Sequence, residues 1–148
     1  MAERSNIQPF SIVIAGSQDA VRDGIAQTMA HLASLALPQE KAGSVELVLA
    51  EALNNTIEHA LATITAQTRI EIRGSYTADG LHLTIIDQGK PMPRDTPPAG
   101  HAPELDVDLQ NLPEGGFGWH MIHALARSVK YVRVNNTNHL SLHFDIKP

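Results

Sequence analysis

Glu51 and Asn55 are one helical turn apart within Val45–Ala60, VELVLAEALNNTIEHA. At a helical period Val45, Leu49, Ala52, Leu53, Thr56 and Ala60 share one face, and Glu51, Asn55, Glu58 and His59 form a stripe beside it. Adjacent Asn residues are poor mid-helix chemistry, because Asn competes for the backbone's own hydrogen bonds. A carboxylate one turn before a carboxamide, on the edge of an apolar face, has the makings of a site; a helix simply carrying Glu and Asn outward is the alternative. A second candidate is Asp87-Gln88-Gly89 at a strand end. Its carboxylate can accept a hydrogen bond from the exocyclic amine of a base, and its Gly permits close backbone approach or positive φ. The same triplet also fits an ordinary turn. A third is Gly115-Gly116-Phe117-Gly118-Trp119, followed by the helical pattern Met121, Ile122, Leu125. Glycines just before a helix gather free N–H groups and the positive end of the helix dipole, an anion site most often used for phosphate. A flexible loop terminus is the alternative, but the lid-like loop before it favours phosphate.

These residues need elements to hold them. Phe10–Ala15 reads as a first strand, and Ser17 as the cap of a helix through about Ala36, with Val21, Ile25, Met29 and Leu32 at helical spacing. Leu37-Pro38 breaks that helix, and Pro38 suits the first turn of the next, which carries Glu51 and Asn55 and runs to roughly Thr65. Arg69–Tyr76 and Leu81–Ile86 alternate around Ala78-Asp79-Gly80 and make a hairpin. Lys90–Glu114 is a Pro-rich loop of about 25 residues, long enough to be a lid or a disordered segment. Val129–Asn135 and His139–Ile146 close the chain as two strands around Asn135-Asn136-Thr137-Asn138.

Composition sets the frame. A chain of 148 residues with 43% apolar and 18% charged side chains suits one folded domain, 1–148, with a single core. Net charge is −5 and no Lys/Arg run occurs, which argues against a nucleic-acid partner. No cysteine is present, so disulfides and Cys-ligated zinc are excluded and a reducing cytosol is compatible. The N-terminal apolar run is too short and too polar for a signal peptide, and no segment reaches the roughly 20 residues of a membrane span. The expected location is cytoplasmic. The eight His residues lack a persuasive metal arrangement; His120 with His123 and His139 with His143 read as solvated pairs.

Taken in order, the three motifs resemble those of the Bergerat ATP-binding fold shared by gyrase B, histidine kinases, the ninety-kilodalton heat-shock chaperones and the MutL repair protein. Within that superfamily the chain is most similar to the anti-sigma-factor serine/threonine kinases. The matching runs are Glu51-Ala52-Leu53-Asn54-Asn55…His59-Ala60, Asp87-Gln88-Gly89, and Gly116-Phe117-Gly118-Trp119-His120-Met121, and the likeness covers about Phe10 to Ile146. The resemblance implies that Asn55 supplies a neutral oxygen to Mg²⁺ and that Glu51 orients or deprotonates the attacking hydroxyl. It implies that Asp87 holds the adenine amino group while Gly89 lets the base approach, and that Gly116 and Gly118 present amides to the phosphates under the lid. His59, Phe117, Trp119 and His120 belong to the same motif blocks; Trp119 itself reads as packing, and His120 as close to the phosphates. Ser141 matches a hydroxyl position near adenine. The chain departs from the pattern at Pro91, where relatives often have another Gly, and at Ala126-Arg127, where many carry an Asp.

The fold implied is an α/β two-layer sandwich, a mixed, mainly antiparallel sheet with three helices on one face and the other face partly solvated. The function implied is an anti-sigma factor that sequesters a sigma factor and phosphorylates a small STAS-type antagonist, with ATP as substrate and affinity switch. A homodimer is implied by the family alone. Two alternatives remain: a histidine-kinase catalytic domain, against which stand the missing phosphoacceptor helices and Glu51, and a non-catalytic ATP-gated binding module.

Overall fold

The structure is a computed structural model and describes residues 7–62, 67–93, 96–97 and 116–146. Strand β1 (Phe10–Ala15) leads into helix α1 (Gln18–Leu32), a 3₁₀ turn (Ala33–Leu35) and helix α2 (Gln39–Asn55), which continues as a π turn (Thr56–Ala60). Hairpin β2 (Arg69–Thr77) and β3 (Gly80–Asp87), helix α3 (Gly116–Leu125), and hairpin β4 (Ser128–Val134) and β5 (Thr137–Phe144) complete it. The strands form one sheet in the order β1-β2-β3-β5-β4, with all four neighbouring pairs antiparallel.

Alternation decides the layers. Ile12 and Ile14, Ile70 and Ile72, Leu81, Leu83 and Ile85, and Leu140, Leu142 and Phe144 are buried on the inner face. Against them lies the apolar stripe of α2, where Val45, Val48, Leu49, Ala52 and Leu53 are each 0% exposed. Burial of this kind, at about 25 cal/mol per Å² of apolar surface, supplies the main driving force for the sandwich. The other face is mostly polar: Thr84 and Ser141 bridge their hydroxyls at 3.3 Å, and His82 stacks on His143 at 4.3 Å between ring centroids. His143 Nε2 also lies 2.7 Å from the Asp79 carbonyl oxygen, so His143 is part of a cross-strand cluster rather than a solvated pair with His139. Among the described residues, no helix is long and apolar enough to cross a membrane.

Element ends differ from the sequence expectations in instructive ways. Helix α1 stops at Leu32, and Ala36 takes a left-handed conformation (φ 50°) that ends the turn without a glycine. Ser17 occupies the N-cap position but makes no capping hydrogen bond with its side chain. The second helix ends at Ala60, short of Thr65, because it widens into the π turn. The last hairpin turns on two residues, Asn135 and Asn136 (φ 53° and 61°), the pair of left-handed conformations that a tight hairpin needs.

Candidate functional site

The end of α2 places Glu51 and Asn55 on adjacent turns, bordering the stripe that packs on the sheet. Asn55 is buried, and its Nδ2 has no hydrogen-bond partner among the described residues. Buried amide groups in folded proteins are nearly always paired, so an unpaired one marks a place for a ligand or an ion. Glu51 is half-buried beside it. Both face the first turn of α3, where a Cβ on Gly118 would lie 2.6 Å from Glu51 Oε2 and 3.9 Å from Asn55 Nδ2. Only glycine lets the two helices meet here without displacing the carboxylate.

Beyond Asn55 the helix changes pitch. Thr56 donates its hydroxyl back to the Ala52 carbonyl at 3.0 Å, and the Leu61 N–H reaches the Thr56 carbonyl at 3.0 Å, an i→i+5 bond. The widened turn aims the Ala60 carbonyl at the end of β3, where it accepts the Lys90 N–H at 2.9 Å. Gly89 sits directly against it: a Cβ there would be 2.3 Å from Ala60 O. The glycine thus allows a close approach of the protein's own backbone, and it does not adopt positive φ. His59 is exposed on this turn, on the solvent side of the stripe predicted from a regular helix.

Asp87 ends β3 on the inner face and is 5% exposed. Its Oδ1 accepts the Gly89 N–H at 2.8 Å and Asn138 Nδ2 at 2.9 Å. Burial raises the Asp87 carboxyl above its ordinary pKa, against the opposing pull of those two hydrogen bonds, the Arg133 charge and His139. Asn138, 3% exposed, joins this strand end to the neighbouring hairpin: its Nδ2 also donates to Lys90 O at 2.8 Å, and its Oδ1 accepts Arg133 Nη1 at 2.7 Å and the Tyr131 hydroxyl. Arg133 further donates to Gly89 O at 2.9 Å, and Tyr131 accepts the Met92 N–H at 3.1 Å. Sequence reasoning passed over Asn138 and chose Ser141, which is a correction. Ser141 points to the sheet face away from the helices, where it pairs with Thr84. Residues three apart on a strand lie on opposite faces.

At α3, Gly116 begins the helix, so its first N–H groups lack intrahelical partners. Trp119 is 4% exposed and belongs to the core with Ile122, and His120 is half-buried. The Phe117 side chain, Gly115 and most of the expected lid lie outside the described residues. At the departure from the family pattern, Ala126 is buried, the Arg127 N–H donates to His143 O at 2.7 Å, and its guanidinium pairs with Asp145 at 3.0 Å.

Among the described residues no three His, Cys, Asp or Glu side chains cluster as a metal site. A single amide beside an anion-binding helix start instead fits Mg²⁺, which prefers phosphate and water oxygens to an all-protein cage. The orphaned atom of Asn55 is its Nδ2 donor, which suits a phosphate or water oxygen, while the Oδ1 of the same amide would be the atom to hold the ion.

The comparisons with known proteins fit this geometry. No curated protein is a significant match to the chain. The crystal structure of the RsbU and RsbW domains of Rv1364c from Mycobacterium tuberculosis is similar over 95% of this chain and 33% of that one, at TM-score 0.64 and 19% identity. The blue-light activated histidine kinase of Erythrobacter litoralis EL346 is similar over 84% of this chain and 40% of that one, at TM-score 0.55 and 20% identity. A structure of its histidine kinase domain is similar over 74% and 46%, at TM-score 0.51 and 21% identity. The chain thus spans between a third and a half of these structures, and the likeness is one of fold. The model of the histidine kinase-like ATPase domain matches residues 14–144, and the chain belongs to that family.

Proposed function

We propose that the chain is a single domain that binds an adenine nucleotide with Mg²⁺ between the end of α2 and the start of α3. It transfers the γ-phosphoryl group to a serine or threonine of a small partner protein. The observation that carries this reading is the unpaired buried amide of Asn55 one turn from Glu51, with both side chains against Gly118. Asn55 would hold Mg²⁺, which when bound neutralises phosphate charge. Glu51 would accept the proton of an incoming hydroxyl, a role its half-buried position beside Asn55 supports. The free N–H groups from Gly116 to Gly118 would receive phosphate oxygens, and Asp87 would accept the amino group of the base.

The biological role we assign is that of an anti-sigma factor that sequesters a sigma factor and phosphorylates a STAS-type antagonist. Its support is the likeness to a structure containing an RsbW domain, together with a Glu at position 51 that nucleotide-gated binding alone does not require. A homodimer and a cytoplasmic location belong to the same proposal.

The test is transfer of γ-labelled phosphate from ATP, with Mg²⁺, to proteins captured by this chain from the native cytosol. The reading expects acid-stable label on a small captured protein, lost with Glu51→Ala and on chelation of the metal. Acid-labile label would replace it with histidine chemistry. Bound ATP without any label would leave a nucleotide-gated binding module.

A further inference from the structure

The two oxygens of Asp87 are not equivalent. Each carboxylate oxygen has two lone pairs, and both on Oδ1 are engaged, one by the Gly89 N–H at 2.8 Å and one by Asn138 Nδ2 at 2.9 Å. Among the described residues, Oδ2 receives no hydrogen bond.

The Asn138 amide has one orientation. Its Oδ1 faces two donors, Arg133 Nη1 and the Tyr131 hydroxyl, and its Nδ2 faces three acceptors, Asp87 Oδ1, Lys90 O and, at 3.4 Å, Gly89 O. Turning it over would set acceptor against acceptor and donor against donor on both sides. At 3% exposure no bulk water can take the amide's place. The row Asp87, Asn138, Arg133 runs across three adjacent strands at matched register, so the arrangement is set by the sheet itself.

A carboxylate with both oxygens open accepts two parallel donors, the bidentate pattern that guanine offers through its ring N–H and its 2-amino group. Adenine instead presents one amino group next to a ring acceptor. We infer that Asn138 is a specificity-determining residue of this site: by saturating Asp87 Oδ1 it leaves one acceptor, which fits the single amino group of adenine and denies guanine its second bond. The inference rests on the nucleotide reading of the site and adds a residue that acts through Asp87.

The test compares ADP and GDP binding, each with Mg²⁺, by calorimetry on the full chain and on Asn138→Ala and Asn138→Ser. The unaltered chain is expected to prefer ADP by about 100-fold, the scale of one buried donor left unmatched. Asn138→Ala frees one lone pair on Oδ1, and the ADP-to-GDP ratio should narrow by about tenfold or more. If the alanine variant does not fold, Asn138→Ser, which keeps a small polar group beside Arg133 and Tyr131, carries the same expectation. A residue that only supports the fold would weaken both nucleotides together; an unchanged ratio in the folded variant therefore overturns the inference. Equal affinity of the unaltered chain for ADP and GDP overturns it too, while leaving the nucleotide reading intact. Binding of neither nucleotide removes both.

Discussion

A methyl group on Gly118 would stand 2.6 Å from Glu51 Oε2, so the first turn of α3 meets the carboxylate of α2 with no room for a side chain. The atom in the way is the free end of a flexible side chain and not backbone. Gly118→Ala should therefore leave the fold intact, with alanine's better helix propensity offsetting the crowding. The displaced carboxylate should lose about 100-fold in phosphoryl transfer, the scale of a misplacement near 1 Å. Thermal unfolding and single-turnover transfer, measured on the same variant, separate the two effects.

Glu51 and Asn55 should fail in different ways. Glu51→Ala should still bind nucleotide but lose about 10²–10⁴-fold in transfer, the usual contribution of a general base. Asn55→Ala should lose Mg²⁺-dependent affinity while keeping or gaining stability. Its Nδ2 makes no hydrogen bond among the described residues, and an unmatched buried polar group costs about 1–3 kcal/mol. Titration with nucleotide in the presence and absence of Mg²⁺, beside urea unfolding, checks this. An Asn55→Ala variant with full affinity contradicts the metal role.

Gly89 meets an immovable neighbour. A Cβ there would lie 2.3 Å from Ala60 O and 2.6 Å from Ala60 C, both backbone atoms. Gly89→Ala should destabilise by about 1–3 kcal/mol, as overpacking does, and should weaken the Lys90–Ala60 hydrogen bond. The denaturation midpoint and the exchange rate of the Lys90 amide report on it. A midpoint equal to that of the unaltered chain would mean the two segments separate freely.

The raised pKa of Asp87 sets a pH dependence of definite sign. Burial disfavours the ionised carboxyl in the fold, so the stability linked to this group is present below its unfolded pKa and is lost as pH rises through the folded value. Asp87→Asn should thus be more stable than the parent near neutrality. Nucleotide binding runs the other way, because the base's amino group needs an accepting carboxylate. Affinity should fall as the solution is acidified from neutrality, starting at higher pH than for an ordinary carboxylate. Asp87→Asn should bind weakly at every pH, since the Asn amide would set a donor against a donor. Calorimetry across that range on both proteins decides the point.

Much of this architecture is legible in one sequence because it depends on local periods. The apolar stripe from Val45 to Leu53 and the alternation in Leu81–Ile85 mark the core face directly. The sequence also held the sign that separates Asn138 from Ser141. Asn138 shares parity with Leu140, Leu142 and Phe144, all buried inward, while Ser141 shares it with the outward His139 and His143. A polar residue in the inward set at a strand end is a better candidate for a site than a hydroxyl in the outward set. The meaning of Gly89 was out of reach. It depends on a contact with Ala60, distant in sequence, which exists only because the helix widens after Asn55.

That widened turn also separates two inheritances within one helix. Upstream, the face carrying Glu51 and Asn55 keeps the α-helical phase; downstream, Ala60 answers to β3 through Lys90 and Gly89. The additional residue in Thr56–Ala60 is where the two phases are reconciled. Deleting one residue there would restore regular pitch and swing the Ala60 carbonyl by about 100° around the helix axis. The length of this segment therefore fixes how the Glu51–Asn55 face and the Ala60 anchor are phased relative to each other.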